Sequence, residues 1–292
     1  MTSPTFSPII AGAMNLGQWQ WNPAERLRWI EECLELGITT FDHADIYGGY
    51  TCEGLFGEAL ALRPSLRSQM QLISKCGIKL ITPNRPSNAL KSYAVGRDYI
   101  IASAENSLRE LQTDHLDLLL IHRPSPLMAA DEVAEAFAAL AGKVRHFGVS
   151  NFTPTQFDLL QSRLDFPLVT NQIELSVMQM SALTDGTLDQ CQQRRIRPML
   201  WSPLGGGALF RGETAASKRL LVVLREIGDV LGGAALDQIA LAWLLHLPSR
   251  PYPVLGTGKI ERLAAAVAAT QLQLTDEQWF AIWEAAAGHE VA

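Results

Sequence analysis

The sequence predicts an α/β chain folded as a closed (β/α)8 barrel, the TIM architecture, with one extra helix near its C-terminal end. Three observations predict it. Short β-rich runs alternate with helical patterns almost to the end of the 292 residues. Most of the runs are apolar throughout, as strands covered on both faces are. Eight such alternations in one chain point to closure of a parallel sheet. An open doubly wound sheet shares the alternation, but it usually has fewer strands and a glycine-rich phosphate loop after the first, which is missing here.

In chain order the strand candidates are residues 8–11, 39–43, 71–75, 116–122, 146–150, 168–172, 198–201 and 252–256. Amphipathic stretches at 24–36, 98–111, 131–140, 154–162 and 237–247 supply helices between them. Two segments break the rhythm. Residues 77–96 are polar and proline-containing without periodicity, and residues 203–217 carry three consecutive glycines, Gly205 to Gly207. Both follow strands, and long loops in a compact domain are usually functional. Beyond the eighth unit, residues 275–287 read as the extra helix, with Thr275 as N-cap and Trp279 and Trp283 spaced for packing. No repeat or linker divides the chain, so residues 1–292 are expected to form one barrel domain.

Composition narrows the function. Hydrophobic residues make up 48% and charged ones 18%, which provides a large core. The formal charge is −6 with no basic cluster, so neither nucleic acid nor a membrane surface is an expected partner. Cys33, Cys52, Cys76 and Cys191 lack CxxC spacing and read as free thiols of a reducing compartment. The start, MTSPTFSPIIAGAM, lacks the features of a secretory leader, and no run is apolar enough to span a bilayer. A cytoplasmic location is expected. The six histidines show no H-x-H pattern, and His43 and Asp45 alone do not make a metal site, so no metal is expected.

Chemistry concentrates where strands end. Asp42 and Tyr47 lie in TTFDHADIYGGY, Lys75 in QLISKCG and His122 in LDLLLIHRP. Strand tips of a barrel face the pocket where its reactions take place. A cation beside a phenol lowers its pKa toward the operating pH, which makes tyrosine a proton donor to an oxygen. Asp42 would hold Lys75 in place and charged, and His122 would orient a carbonyl. A plain Asp42–Lys75 salt bridge beneath an uninvolved tyrosine is the simpler account, but four compatible residues on three successive strand tips weigh against it.

With these residues in view, the chain resembles the aldo-keto reductases, and within them a bacterial branch of oxidoreductases. The segments FD-x-AD-x-YG, ISK, LLLIH, GVSNF and NQIE occur in the family's order, and matching stretches cover about 12–263. The resemblance implies a (β/α)8 barrel reducing an aldehyde or ketone with NADPH, with Asp42, Tyr47, Lys75 and His122 as the catalytic tetrad and Tyr47 as proton donor. It further implies that Ser150, Asn151 and Gln172 hold the nicotinamide carboxamide. By the same resemblance Trp201 would stack on the ring, where many members carry a tyrosine, and Ser202, Leu204 and Gly206 would wrap the pyrophosphate. Gly12, Ala13 and Met14 after the first strand, and Gly256, Thr257 and Gly258 after the eighth, complete the cofactor set. Lys259 and Arg262, at a helix N-terminus, suit a 2′-phosphate and hence NADPH over NADH.

From the residues alone other readings stay open. The Ser150–Asn151 pair would equally cap the helix near residue 154, and without the resemblance the glycine run reads better as a plain flexible loop. Trp19, Trp21, His43 and Arg123 are expected around the substrate. A nicotinamide-binding sensor or accessory subunit with vestigial catalysis is the alternative function.

Overall fold

The computed structural model describes residues 4–291. Its strands are β1 (Ile10–Gly12), β2 (Thr40–Asp42), β3 (Gln71–Cys76), β4 (Ile78–Lys79), β5 (Ser92–Tyr93), β6 (Leu118–Ile121), β7 (Phe147–Ser150), β8 (Asn171–Glu174), β9 (Met199–Trp201) and β10 (Tyr252–Leu255). The helices are α1 (Pro23–Glu35), α2 (Cys52–Leu62), α3 (Arg97–Glu110), α4 (Ala130–Leu140), α5 (Pro154–Gln161), α6 (Thr187–Arg194), α7 (Ala208–Arg211), α8 (Ala215–Val230), α9 (Leu236–Leu245), α10 (Ile260–Ala269) and α11 (Asp276–Ala287). Eight strands close into a barrel in the order β1-β10-β9-β8-β7-β6-β3-β2, and β4 with β5 forms a separate antiparallel pair. The predicted fold class is the observed one.

The described residues divide into two compact units, one up to Asn171 together with Gly256–Ile260, the other Gln172–Leu255 together with the residues from Glu261. In the first, β2 pairs with β1 and β3, and β6 with β3 and β7, all parallel. Their side chains are buried without alternation, which is why these runs read as continuous apolar stretches. Trp29 of α1, Phe41 of β2 and Phe56 of α2 pack in a chain, with ring centroids 5.8 and 5.3 Å apart. Phe137 of α4 stacks on Phe147 of β7 at 4.1 Å.

In the second unit, α11 packs on α8 and on the end of α9. Trp243 and Trp279 stack at 5.0 Å, and each indole N–H donates to the other's backbone carbonyl at 3.0 Å. Trp283 meets Trp279 edge-on at 5.5 Å. Both tryptophans of the extra helix are packing residues, and Thr275 caps it, its hydroxyl accepting from Gln278 N.

Several expected boundaries move. The segment 77–96 contains the β4–β5 hairpin, and residues 215–217 of the expected 203–217 loop are already the first turn of α8, capped by Thr214. The sixth strand lies three residues later than expected, at Asn171–Glu174, although Val169 N donates to Phe147 O (2.9 Å) and Val149 N to Thr170 O (3.1 Å), so the stretch before it already runs along β7.

Candidate active site

Three neighbouring strands of the first unit, β2, β3 and β6, carry the four candidate catalytic residues at their C-terminal ends. Asp42 is the last residue of β2, Lys75 the penultimate residue of β3, and His122 directly follows β6. Backbone bonds lock these ends together. Asp45 N donates to Lys75 O at 3.0 Å and His122 N to Cys76 O at 2.9 Å. Tyr47 lies five residues beyond Asp42, on a tight turn closed by Tyr47 N donating to Ala44 O.

Lys75 is fully buried, and its ammonium spends its three donors on three acceptors: Asp42 Oδ2 at 2.7 Å, the His43 carbonyl at 2.8 Å and Tyr47 Oη at 3.0 Å. Because the ammonium only donates, the phenol oxygen accepts there and its own proton is directed elsewhere. The His122 ring stands edge-on to Tyr47, with centroids 5.9 Å apart. The sequence-predicted tetrad is therefore brought together.

The electrostatics correct one expectation. Burial raises the Tyr47 phenol above its ordinary value; the Lys75 charge and hydrogen bond pull it down without overcoming that burial, and Asp42 adds to the rise. The phenol thus holds its proton at neutral pH. Burial lowers Lys75, but Asp42 and Tyr47 outweigh it and leave the ammonium above its usual range. His122 is pushed well below the usual histidine range by burial and by the Lys75 and Arg123 charges, so it is neutral.

The neighbouring candidates fall as follows. Gly12 is buried at the end of β1 in register with Asp42, and Ala13 N donates to Asp42 O at 2.9 Å. Met14 is exposed. Asn151 has a left-handed backbone (φ 60°), and its side-chain amide donates to Ser150 Oγ at 2.8 Å and to His122 O at 3.4 Å. The cap of α5 is Thr153, whose hydroxyl accepts from Gln156 N, so Ser150 and Asn151 are not capping residues. After β10, Gly256 and Lys259 are exposed, Thr257 and Gly258 are half-buried, and Lys259 N donates to Thr257 Oγ1 at 3.2 Å.

In the second unit, Gln172 is buried in β8 and Trp201 ends β9, half-buried. Ser202 takes a left-handed backbone (φ 50°), Leu204 is half-buried, and Gly206 (φ 58°) is exposed with open space where a side chain would lie. Arg262 is exposed in the first turn of α10. Within this unit the chemistry suits an anionic group: an exposed cation in the first turn of a helix, and a left-handed glycine turn whose backbone is open to approach.

His43, expected around the substrate, is not there. It is fully buried, edge-on to Phe56 at 4.5 Å, and neither ring nitrogen has a hydrogen-bond partner. Sequence reasoning also missed three things. Glu53 is a buried carboxylate beside β3. Asn15 donates to Gly256 O at 3.0 Å. Tyr50 fastens the 77–96 segment, its hydroxyl accepting from Leu80 N at 2.9 Å and its ring covered by Arg85 at 4.4 Å. An aromatic so soon after Tyr47 was the available signal for the last. Among the described residues no group of three His, Cys, Asp or Glu side chains is placed to hold a metal, and no helix is long and apolar enough to cross a membrane.

Residues 8–287 match the family model described as the aldo/keto reductase family. The chain is 55% identical to oxidoreductase YdhF of Escherichia coli over 99% of this chain and 96% of that one. It is 44% identical to a 6-dehydroglucose reductase of Agrobacterium fabrum over 98% and 96%. A crystal structure of an aldo/keto reductase from Klebsiella pneumoniae, in complex with NADP and acetate, superposes with a TM-score of 0.75 at 25% identity, covering 95% of this chain and 90% of that one.

Proposed function

The chain belongs to the aldo-keto reductase family, and from that premise we propose that residues 1–292 act as one NADPH-dependent barrel reducing an aldehyde or ketone to the alcohol, with Tyr47 as proton donor. The observation that carries the reading is the Lys75 ammonium held at hydrogen-bond distance from both Asp42 and Tyr47. With one oxygen lone pair taken by Lys75, the Tyr47 proton is the one available to a carbonyl oxygen in front of it. A phenol raised by burial keeps that proton until the carbonyl oxygen gains charge, and the ammonium then stabilises the phenolate left behind. Asp42 fixes Lys75. Neutral His122 donates a hydrogen bond that orients the carbonyl without competing as an acid. Bound NADPH supplies the hydride.

Ser150, Asn151 and Gln172 would hold the carboxamide, Trp201 the ring face, and Ser202, Leu204 and Gly206 the pyrophosphate. Gly12, Ala13, Met14, Gly256, Thr257 and Gly258 would line the nucleotide, and Lys259 and Arg262 would meet the 2′-phosphate. The NADP bound in the Klebsiella structure supports this cofactor. The name of the Agrobacterium relative makes 6-dehydroglucose the first carbonyl to assay.

The test is a titration of the chain with NADPH and, separately, NADH, followed by tryptophan quenching, alongside single-turnover assays. Tight NADPH and weak NADH binding are expected. Tyr47→Phe should bind NADPH like the wild type and lose about a hundredfold or more of its turnover, the range of a general acid. Binding of neither nucleotide removes the cofactor reading, and turnover retained in Tyr47→Phe moves the proton donor elsewhere.

A further inference from the structure

The segment between β1 and α1 reaches the loop after β10 at two points, both within the first unit. Asn15 Nδ2 donates to Gly256 O at 3.0 Å. Trp19 and Trp21 lie directly on Gly258: a methyl group there would meet Trp21 Cη2 at 2.7 Å, closer than carbon atoms approach, and the shared ring carbons of Trp19 at a tight 3.0 Å. Any larger residue at 258 would push the indoles aside. The indoles are themselves held. Their centroids are 4.6 Å apart and lie 5.3 and 6.4 Å from that of Trp29, which is buried on α1 and packs edge-on against Phe41 of β2. This aromatic shelf is therefore anchored in the strand that ends with Asp42. The loop it carries has an indole-backed side, and its ends, Gly256 and Lys259, are exposed.

We propose that Trp19 and Trp21 are positioning residues that hold the 256–259 loop in its nucleotide-binding shape through Gly258. The inference rests on the reading that this loop binds the cofactor. Two glycines in four residues give the loop wide backbone freedom, and a loop ordered only on binding spends part of the binding energy on that ordering. A rigid shelf removes the cost beforehand. The indoles need not touch the reacting atoms, so their loss shows in cofactor affinity more than in turnover.

The experiment compares the wild type with Trp21→Leu, Gly258→Ala and the double variant, with Trp21→Phe as a milder version that keeps a ring. NADPH binding is read from the nucleotide's own emission, and the urea midpoint of each variant is measured. Trp21→Leu and Gly258→Ala should each raise the NADPH dissociation constant about tenfold or more, with turnover at saturating NADPH falling far less. The double variant should bind no worse than the weaker single, because both changes remove the same contact. Trp21→Phe should lie between. Wild-type affinity in folded Trp21→Leu, or losses that multiply in the double variant, overturns the proposal. A wild-type chain that binds no nicotinamide nucleotide overturns the functional reading itself, and the proposal with it.

Discussion

Glu53 shows how far one residue's surroundings move its chemistry. Its carboxylate is buried between β3 and α3, accepting from Ser74 Oγ at 2.6 Å and Ser107 Oγ at 3.1 Å. Burial raises its pKa to about 7; the two hydroxyls and Lys75 pull it down, while Glu110 pushes it up. An acid with a folded pKa above its unfolded one stabilises the fold fully below the unfolded value, near 4.5, and loses that contribution as the pH climbs through about 7. The loss is about 1.4 kcal/mol per pH unit, so on the order of 3 kcal/mol across the window. Glu53→Gln keeps the shape and removes the titration. Urea unfolding of both proteins at pH 4.5, 6 and 8 should show the wild type losing stability relative to the variant, and parallel curves would refute the assignment. His43 acts in the opposite sense. Burial and Lys75 lower it to about 3, so its contribution is present above about 6.5 and lost toward acid, and only the difference between wild type and Glu53→Gln isolates the carboxylate.

At the scale of elements, α2 explains what the sequence reading missed. Its residues CEGLFGEALAL include Gly54 and Gly57, and two glycines in a short stretch weaken a helical signal. The structure shows why they are there. A Cβ on Gly57 would fall on the Glu110 carbonyl, where the end of α3 crosses. Nothing within α2 announces that crossing, since the demand comes from residues more than fifty positions away. The amphipathic α1, α3, α4 and α5 were legible because one apolar stripe defines each locally, and α1 and α5 add capping boxes, Asn22 with Glu25 and Thr153 with Gln156. The strand tips were legible for a related reason: Asp42, Lys75 and His122 each interrupt an apolar run at its end. The Glu53 pocket and the Trp19–Trp21 shelf were not, because each joins segments through contacts that no local pattern encodes. Gly57→Ala should therefore cost about 3 kcal/mol, the top of the range for overpacking, and lower the thermal midpoint by about 5 °C. Gly142→Ala, where an added Cβ meets nothing within 4 Å, should leave it unchanged. Equal midpoints for the two variants would show that α2 and α3 can part without penalty.

On the scale of the whole molecule, the cysteines report whether the chain opens as one. All four are buried and unpaired. Burial raises every thiol, Cys191 to about 12, so each is both shielded and protonated in the folded state. Cys33, Cys52 and Cys76 lie in the first unit and Cys191 in the second. A thiol reagent should reach them only when the structure opens. NADPH at about a hundred times its dissociation constant stabilises the folded chain by about 2.7 kcal/mol, which slows labelling about a hundredfold where labelling needs global unfolding. If residues 1–292 are one cooperative barrel, mass spectrometry of time-resolved labelling should find the same protection factor at all four positions. Protection of Cys33 and Cys76 with no change at Cys191 would mean that the second unit opens alone and that the cofactor is held by the first. The indole shelf beneath Gly258 would then carry more of the binding than the residues of the second unit, so the labelling pattern bears on the domain reading and on the loop proposal together.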